Sequence, residues 1–100
     1  MLVHSVFFWL PRDWDEAQRA TFIAALRALG GIPHKQGLYV GHPADVPARP
    51  VLDSTWDVSI TLLFADRDEH DAYQTHPVHK DFLENHAGTW AKVQIYDSQA

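Results

Sequence analysis

The pattern of apolar and polar residues indicates β-strands in two segments of this chain. In Thr55–Ala65 one parity is entirely apolar, and that face is expected to lie against helices; it carries Trp56, Val58, Ile60, Leu62 and Phe64. The opening segment, Leu2–Leu10, is apolar on both parities and ends at Pro11. Both faces of the first strand therefore need cover.

A first helix is predicted for Trp14–Leu29. Apolar residues recur at helical spacing from Phe22 to the end of this segment, where two glycines stop the run. Asp13 and Glu16 are three residues apart, which is the spacing of a capping pair. We expect this pair to begin the helix.

Two further helices are predicted on either side of a proline. Asp66 and Glu69 form a second capping pair, which begins a helix that runs through Tyr73. Pro77 lacks an N–H and disfavours helical geometry for the residue before it. It therefore closes this helix and suits the first position of the next one, with His76 near the N-cap.

The remaining segments complete the order β-α-β-β-α-α-β. Gln36–Gly41 predicts a short edge strand, and Trp90–Tyr96 predicts a closing strand. Between the second and third strands, His42–Ser54 contains three prolines and is a long loop. The loop is open to three interpretations: a lid, an arm that reaches a neighbouring subunit, or a surface excursion. The order itself predicts an α+β, ferredoxin-like fold, a four-stranded antiparallel sheet with helices on one face.

One face of that sheet has no helices to cover it. The uncovered parity of the first strand carries Phe7 and Trp9, and an apolar patch of this kind is unstable in water unless a partner covers it. We therefore expect a homodimer in which two sheets pack face to face as a dimeric α/β barrel.

Size and composition narrow the range of partners. One hundred residues with 46% apolar side chains suit one domain, residues 1–100. The net charge is −5, and the 8 basic residues form no stripe, so nucleic acid is not an expected partner. Leu2–Leu10 lacks the features of a signal peptide or a membrane span. We expect no membrane contact and a cytoplasmic location.

Candidate chemistry concentrates around the predicted corner at Pro77. Tyr73 falls in a last helical turn and His79 in a first turn, so both can lean toward one pocket wall, where a phenol and an imidazole can hold or transfer a proton. The alternative is a corner whose polar groups satisfy local hydrogen bonds. His70, His76 and His79 also suggest a metal, but their spacing completes no recognisable ligand set. We therefore expect no metal and no cofactor.

Three segments, Val3–Leu10, Trp56–Phe64 and Ala72–Phe82, together resemble the stress-responsive A/B barrel (Dabb) family. The most specific part is the His-Pro-x-His element at 76–79 with the tyrosine before it. The resemblance implies a dimeric α+β barrel with a small-molecule pocket between sheet and helices. In a plant cyclase of this family, which forms olivetolic acid, a histidine and a tyrosine of this element carry an aldol condensation. Those roles would fall on His79 and Tyr73.

The same resemblance places His4 at the pocket and puts Val58 where the cyclase has another histidine, which makes that side less polar. Further residues expected at the pocket are Val6, Phe8, Ile60 and His76.

Two functions are consistent with these features. One is a small-molecule binding, stress-associated protein without chemistry. The other is a cofactor-independent cyclase, lyase or isomerase acting on a carbonyl or polyketide-like compound. In the enzyme, neutral His79 would remove a proton alpha to the carbonyl, and Tyr73 would donate a hydrogen bond to the enolate oxygen. The discriminating feature is whether His79 and Tyr73 face one cavity.

Overall fold

A computed structural model describes residues 1–100 and has the predicted element order. Its strands are β1 (Leu2–Trp9), β2 (Gly37–Gly41), β3 (Val58–Phe64) and β4 (Lys92–Gln99). Its helices are α1 (Glu16–Ala28), α2 (Arg67–Thr75) and α3 (Pro77–His86), with short 3₁₀ turns at Leu29–Gly31 and Ala87–Thr89.

The four strands form one antiparallel sheet in the order β2-β3-β1-β4. β1 is central: His4 lies opposite Leu62 of β3 on one side and opposite Asp97 of β4 on the other. This is a ferredoxin-like α+β fold, which confirms the fold predicted from the sequence.

The core lies between one face of the sheet and the helices. Alternate residues of β1 and β3 are buried along the whole of each strand, as the period of two requires. The helices contribute Phe22 and Leu26 from α1, Tyr73 from α2 and Phe82 from α3. Burial of each large apolar side chain contributes about 1.5–3 kcal/mol.

Trp56 lies on the opposite face from the one predicted. The strand β3 begins at Val58. The residue before it, Asp57, is tied to β1 by a hydrogen bond from its N–H to the Phe8 carbonyl at 2.8 Å. The alternation that buries Val58 therefore does not extend back to Trp56. Its ring packs against Phe7 instead, with 5.0 Å between centroids.

The first helix begins two residues later than its predicted cap implies. Asp15, not Asp13, is the N-cap: its carboxylate accepts from Gln18 N–H at 2.8 Å, and the Gln18 side chain accepts from Asp15 N–H at 2.9 Å. A turn closed by the Trp14 N–H and the Pro11 carbonyl keeps the preceding residues out of the helix. The capping box is complete with glutamine in place of the expected Glu16.

The corner between α2 and α3 forms as the sequence predicts. Asp66 caps α2 by accepting from Glu69 N–H at 2.9 Å. His76 is extended, with ψ of 139°, and Pro77 occupies the first turn of α3. The His76 imidazole then caps α3, because its Nδ1 accepts from Val78 N–H at 3.1 Å.

The face of the sheet opposite the helices carries a cluster of aromatic rings, here called the open face. Phe7 contacts Trp56 and also Tyr96, at 6.1 Å between the Phe7 and Tyr96 centroids. Tyr39 and Tyr96 are largely exposed on this face.

The loop from 42 to 57 has no helix or strand. None of the helices combines the length and apolar character needed to cross a membrane.

Candidate functional site

A cavity of about 270 Å³ lies between the sheet and the helices. Most of its wall is apolar, and the polar groups on it belong to two histidines, a tyrosine, a glutamine and a tryptophan indole N–H. The lining residues are His4, Val6, Phe8, Leu26, Leu29, Ile60, Leu62, Tyr73, Gln74, His79, Phe82, Leu83, Trp90, Val93 and Ile95. The cavity reaches solvent beside β4, where Val93 is 40% exposed and Ile95 is 48% exposed although both face the helices.

A wider depression of about 320 Å³ lies beside the start of α1, near Trp14, Phe22 and His86. Its principal polar groups are Asp15 and Gln18, which already bond to each other in the capping box. Thr21 and Thr89 bond to backbone carbonyls, so His86 is the one polar side chain of this depression without a hydrogen bond, and more unpaired polar groups border the 270 Å³ cavity.

Tyr73 and His79 both reach this cavity from consecutive helices. Each is buried, and their rings meet edge to face with 4.9 Å between centroids and 63° between planes. The Pro77 turn brings a last-turn residue of α2 beside a first-turn residue of α3. The sequence predicted this convergence, because it depends on local structure alone.

The environment of His79 favours the neutral imidazole. Burial lowers the pKa of His79, and the nearby His4 lowers it further. Together these two effects outweigh the Gln74 backbone carbonyl, which raises the pKa. The Gln74 carbonyl is near, but no hydrogen bond of ordinary geometry reaches the buried His79 Nδ1. An unsatisfied buried nitrogen is costly, so a ligand that bonds to it would remove a penalty.

Tyr73 is a complementary donor. Burial alone raises the pKa of Tyr73, and no hydrogen bond to its hydroxyl offsets that effect. The phenol therefore stays protonated throughout the ordinary pH range. A neutral imidazole and a protonated phenol thus border one apolar cavity.

His4 is oriented by a residue that the sequence analysis missed. Its Nδ1 lies 2.5 Å from Asp97 Oδ1 across β1 and β4. Burial lowers the pKa of His4 more than the hydrogen bond and the charge of Asp97 raise it. Nδ1 then carries the proton and donates to the carboxylate, while Nε2 lies 3.5 Å from the Gln74 side-chain amide. The strand pairing of β1 with β4 is the one signal that could have identified Asp97.

Two residues expected at the pocket lie elsewhere. Val58 is buried in the core and does not line the cavity, although Phe8, its partner in the strand register, does. His76 does not line the cavity either, since its imidazole caps α3. The other four, His4, Val6, Phe8 and Ile60, line the cavity together with Tyr73 and His79.

The histidines group differently from their order along the chain. His76 and His79 do not form a donor cluster with His70. Instead His70 of α2 lies over His4, with 5.2 Å between ring centroids. One ligand atom each from His4, His70 and Asp97 lies within 4.8 Å of the other two.

A family model for the stress responsive A/B barrel domain matches residues 2–100. The chain belongs to this Dabb family. The family assignment predicted from the sequence is therefore confirmed over nearly the whole chain. A comparison with curated protein sequences found no match.

Solved structures agree with the family in fold. A Dabb family protein of ferredoxin-like fold from Mesorhizobium loti is 20% identical, with a TM-score of 0.80 over 99% of this chain and 95% of that one. A dimeric ferredoxin-like protein of unknown function from Thermobifida fusca is 21% identical, with a TM-score of 0.79 over 99% and 90%. The hydroxynitrile lyase from Passiflora edulis is 15% identical, with a TM-score of 0.79 over 97% and 90%. At these identities the likeness concerns the fold.

Proposed function

We propose that this Dabb domain binds a small, mainly apolar carbonyl compound in the cavity between sheet and helices. The observation that supports this proposal is that two buried nitrogens without hydrogen-bond partners, His79 Nδ1 and Trp90 Nε1, border one apolar cavity, beside a Tyr73 hydroxyl that has no hydrogen bond to the protein. A buried polar group without a partner costs about 1–3 kcal/mol. A ligand with a matching oxygen would remove that cost.

The size and lining of the cavity define the ligand class. Its 270 Å³ is slightly below the range of about 300–1,000 Å³ usual for small-molecule sites. The wall suits a compact ring or a short chain. The Tyr73 phenol can donate a hydrogen bond to a carbonyl oxygen, and neutral His79 can accept or donate one. Small ketones, β-keto acids and polyketide-like phenols combine these features.

The second candidate is a cofactor-independent cyclase, lyase or isomerase at the same site. Neutral His79 would take a proton alpha to the ligand carbonyl, and Tyr73 would stabilise the enolate oxygen. The neutral state that burial imposes on His79 favours this candidate, since a base must begin unprotonated. The Passiflora edulis hydroxynitrile lyase has the same fold, so a lyase can be built on this architecture.

We propose that the domain acts as a homodimer. Phe7, Trp56 and Tyr96 form a contiguous aromatic cluster on the open face, and no helix of the chain covers it. A second sheet packed on this face would bury the cluster. The relative from Thermobifida fusca is described as dimeric.

Two matched pairs of variants test the site. A panel of small ketones and β-keto acids is screened by thermal shift, and the best compound is measured by calorimetry. Tyr73→Phe and His79→Gln should each weaken its binding at least tenfold. The matched controls are Tyr39→Phe on the open face and His42→Gln in the exposed loop, which make the same changes outside the cavity and should bind as the wild type does. Equal loss in a control, or no ligand in the panel, would contradict the proposal.

A further measurement separates binding from catalysis. The bound ketone is incubated in D₂O, and deuterium at its alpha carbon is followed by NMR. Enzyme-dependent exchange that disappears in His79→Gln supports the second candidate. Tight binding with no exchange above the rate in buffer identifies the site as a binding site.

A further inference from the structure

Three elements bring metal-binding side chains to one place beside the cavity. His4 on β1 and Asp97 on β4 are partners in the strand register, and His70 of α2 lies over the His4 ring. One ligand atom from each residue lies within 4.8 Å of the other two. The His4 Nδ1 and Asp97 Oδ1 atoms are already 2.5 Å apart.

We propose that His4, His70 and Asp97 form a binding site for a divalent transition-metal ion, with Zn²⁺ as the best match. Two imidazoles and one carboxylate are a donor set that first-row metals such as zinc and iron(II) accept. Bonds of about 2.0–2.2 Å would place the donor atoms of a tetrahedral ion about 3.3 Å apart. Small side-chain rotations from the present separations reach that spacing.

The neighbours of both histidines indicate which nitrogens would bind. His70 Nδ1 lies 3.1 Å from Asp71 Oδ1, so Nε2 is left for the ion. His4 faces Asp97 with Nδ1, while its Nε2 lies 3.5 Å from the Gln74 side-chain amide. A histidine that binds metal usually donates its other N–H to an acceptor. Asp71 is that acceptor for His70, and the Gln74 side chain becomes one for His4 when its amide turns Oε1 toward Nε2. The cluster therefore has partners for its outer nitrogens as well as its three donors.

Burial and charge also suit a cation. The exposed fraction of the side chain is 6% for His4, 19% for His70 and 46% for Asp97. An ion can therefore reach the cluster from solvent on the side of the Asp97 carboxylate. The ion would replace the proton that His4 Nδ1 donates to the Asp97 carboxylate. The chain carries a net charge of −5, which favours cation binding over anion binding. Three protein donors leave a fourth position open to water.

The test uses full-length protein without a histidine tag, freed of metal by chelation and dialysis. Zn²⁺ binding is measured by calorimetry, and Co²⁺ binding by visible absorption, which reports coordination at the ion. The expected result is one ion per chain with a dissociation constant in the micromolar range or tighter. His70→Ala and Asp97→Asn should each weaken binding at least tenfold. Asp97→Asn changes a well exposed position, whereas His70→Ala removes a ring that packs against Phe64, so the fold of each variant is checked by circular dichroism.

His42→Ala is the matched control, because it removes an exposed imidazole outside the cluster. It should bind both metals as the wild type does, and circular dichroism should be the same for all variants. Equal affinity in wild type, His70→Ala and Asp97→Asn would overturn the proposal, as would the absence of binding at millimolar Zn²⁺. Because metal binding is read directly, this outcome is independent of whether the cavity takes a carbonyl ligand.

Discussion

The rings of Tyr73 and His79 meet edge to face, 4.9 Å apart at their centroids, without a hydrogen bond between them. The contact itself stabilises the corner through aromatic packing. The Tyr73 hydroxyl and the His79 Nδ1 therefore remain free to form hydrogen bonds with a ligand. This arrangement differs from a hydrogen-bonded staple, in which each group would satisfy its neighbour.

Removal of the Tyr73 hydroxyl should not destabilise the fold. The ring is buried and the hydroxyl bonds to no protein group, so Tyr73→Phe loses no hydrogen bond and keeps the ring packing. The expected free energy of unfolding is equal to that of the wild type or higher by up to about 1 kcal/mol. Urea denaturation measures it, with Tyr39→Phe as the control. A loss of more than about 1 kcal/mol would mean that the hydroxyl has a structural partner.

His79 should make stability depend on pH. Because burial lowers its pKa below the ordinary 6.5, the folded protein binds fewer protons there than the unfolded chain does. Its contribution to stability is therefore complete above pH 6.5 and is lost as the pH falls below that value. Urea denaturation at pH 7.5, 6.5 and 5.5 measures the change. His79→Gln should have a shallower dependence, and parallel curves for the two proteins would contradict this account.

Asp57 should be a major determinant of stability at the junction of β1 and β3. Its carboxylate accepts from the Leu10 N–H at 2.8 Å and from Arg12 and Arg19. Burial raises the pKa of Asp57, but these donors outweigh it and the pKa is lowered overall. Asp57→Ala leaves the Leu10 N–H unpaired and should cost about 2–4 kcal/mol.

The control for that measurement is Asp45→Ala, which removes an exposed carboxylate from the loop. It should change the free energy of unfolding by less than about 0.5 kcal/mol. If both variants have the same free energy of unfolding in urea, the Asp57 carboxylate does not stabilise the junction of β1 and β3.

The oligomeric state should respond to a charge on the open face. Size exclusion with light scattering should give twice the 11.4 kDa mass of one chain at micromolar concentration. Phe7→Glu places a carboxylate among the rings of Trp56 and Tyr96 and should give monomer or aggregate. Val78→Glu, at an exposed position on α3, should remain dimeric. A monomeric wild type would refute the dimer.

The fold was predictable because each element is encoded by a local pattern. The alternation in β3 and the proline between α2 and α3 specify secondary structure within a few residues. One error occurred where a longer-range contact decided the boundary. Trp56 was assigned to the wrong face because of such a contact, between Asp57 and β1. The cap of α1 was misplaced for a local reason, because the turn from Pro11 to Trp14 delays the helix.

The candidate site also contains residues that local sequence patterns could place and residues that they could not. Tyr73 and His79 are six residues apart, so one predicted corner was enough to bring them together. Asp97 and His4 are separated by 93 residues and meet through strand register, which the sequence alone does not specify. His70 reaches His4 through the packing of α2 on the sheet. A search for metal ligands among histidines close in sequence could not find this cluster.

The exposure of Val93 and Ile95 has a consequence for selectivity. The helices cover β3 and β1 but leave the inner side of β4 partly bare, so the cavity is a slot that is open along one edge. Sheet and helices fix how thick a bound molecule can be, and nothing fixes how far it extends past β4. Within a series of homologous ketones, affinity should therefore fall sharply with added ring substituents and hardly at all with a longer alkyl tail.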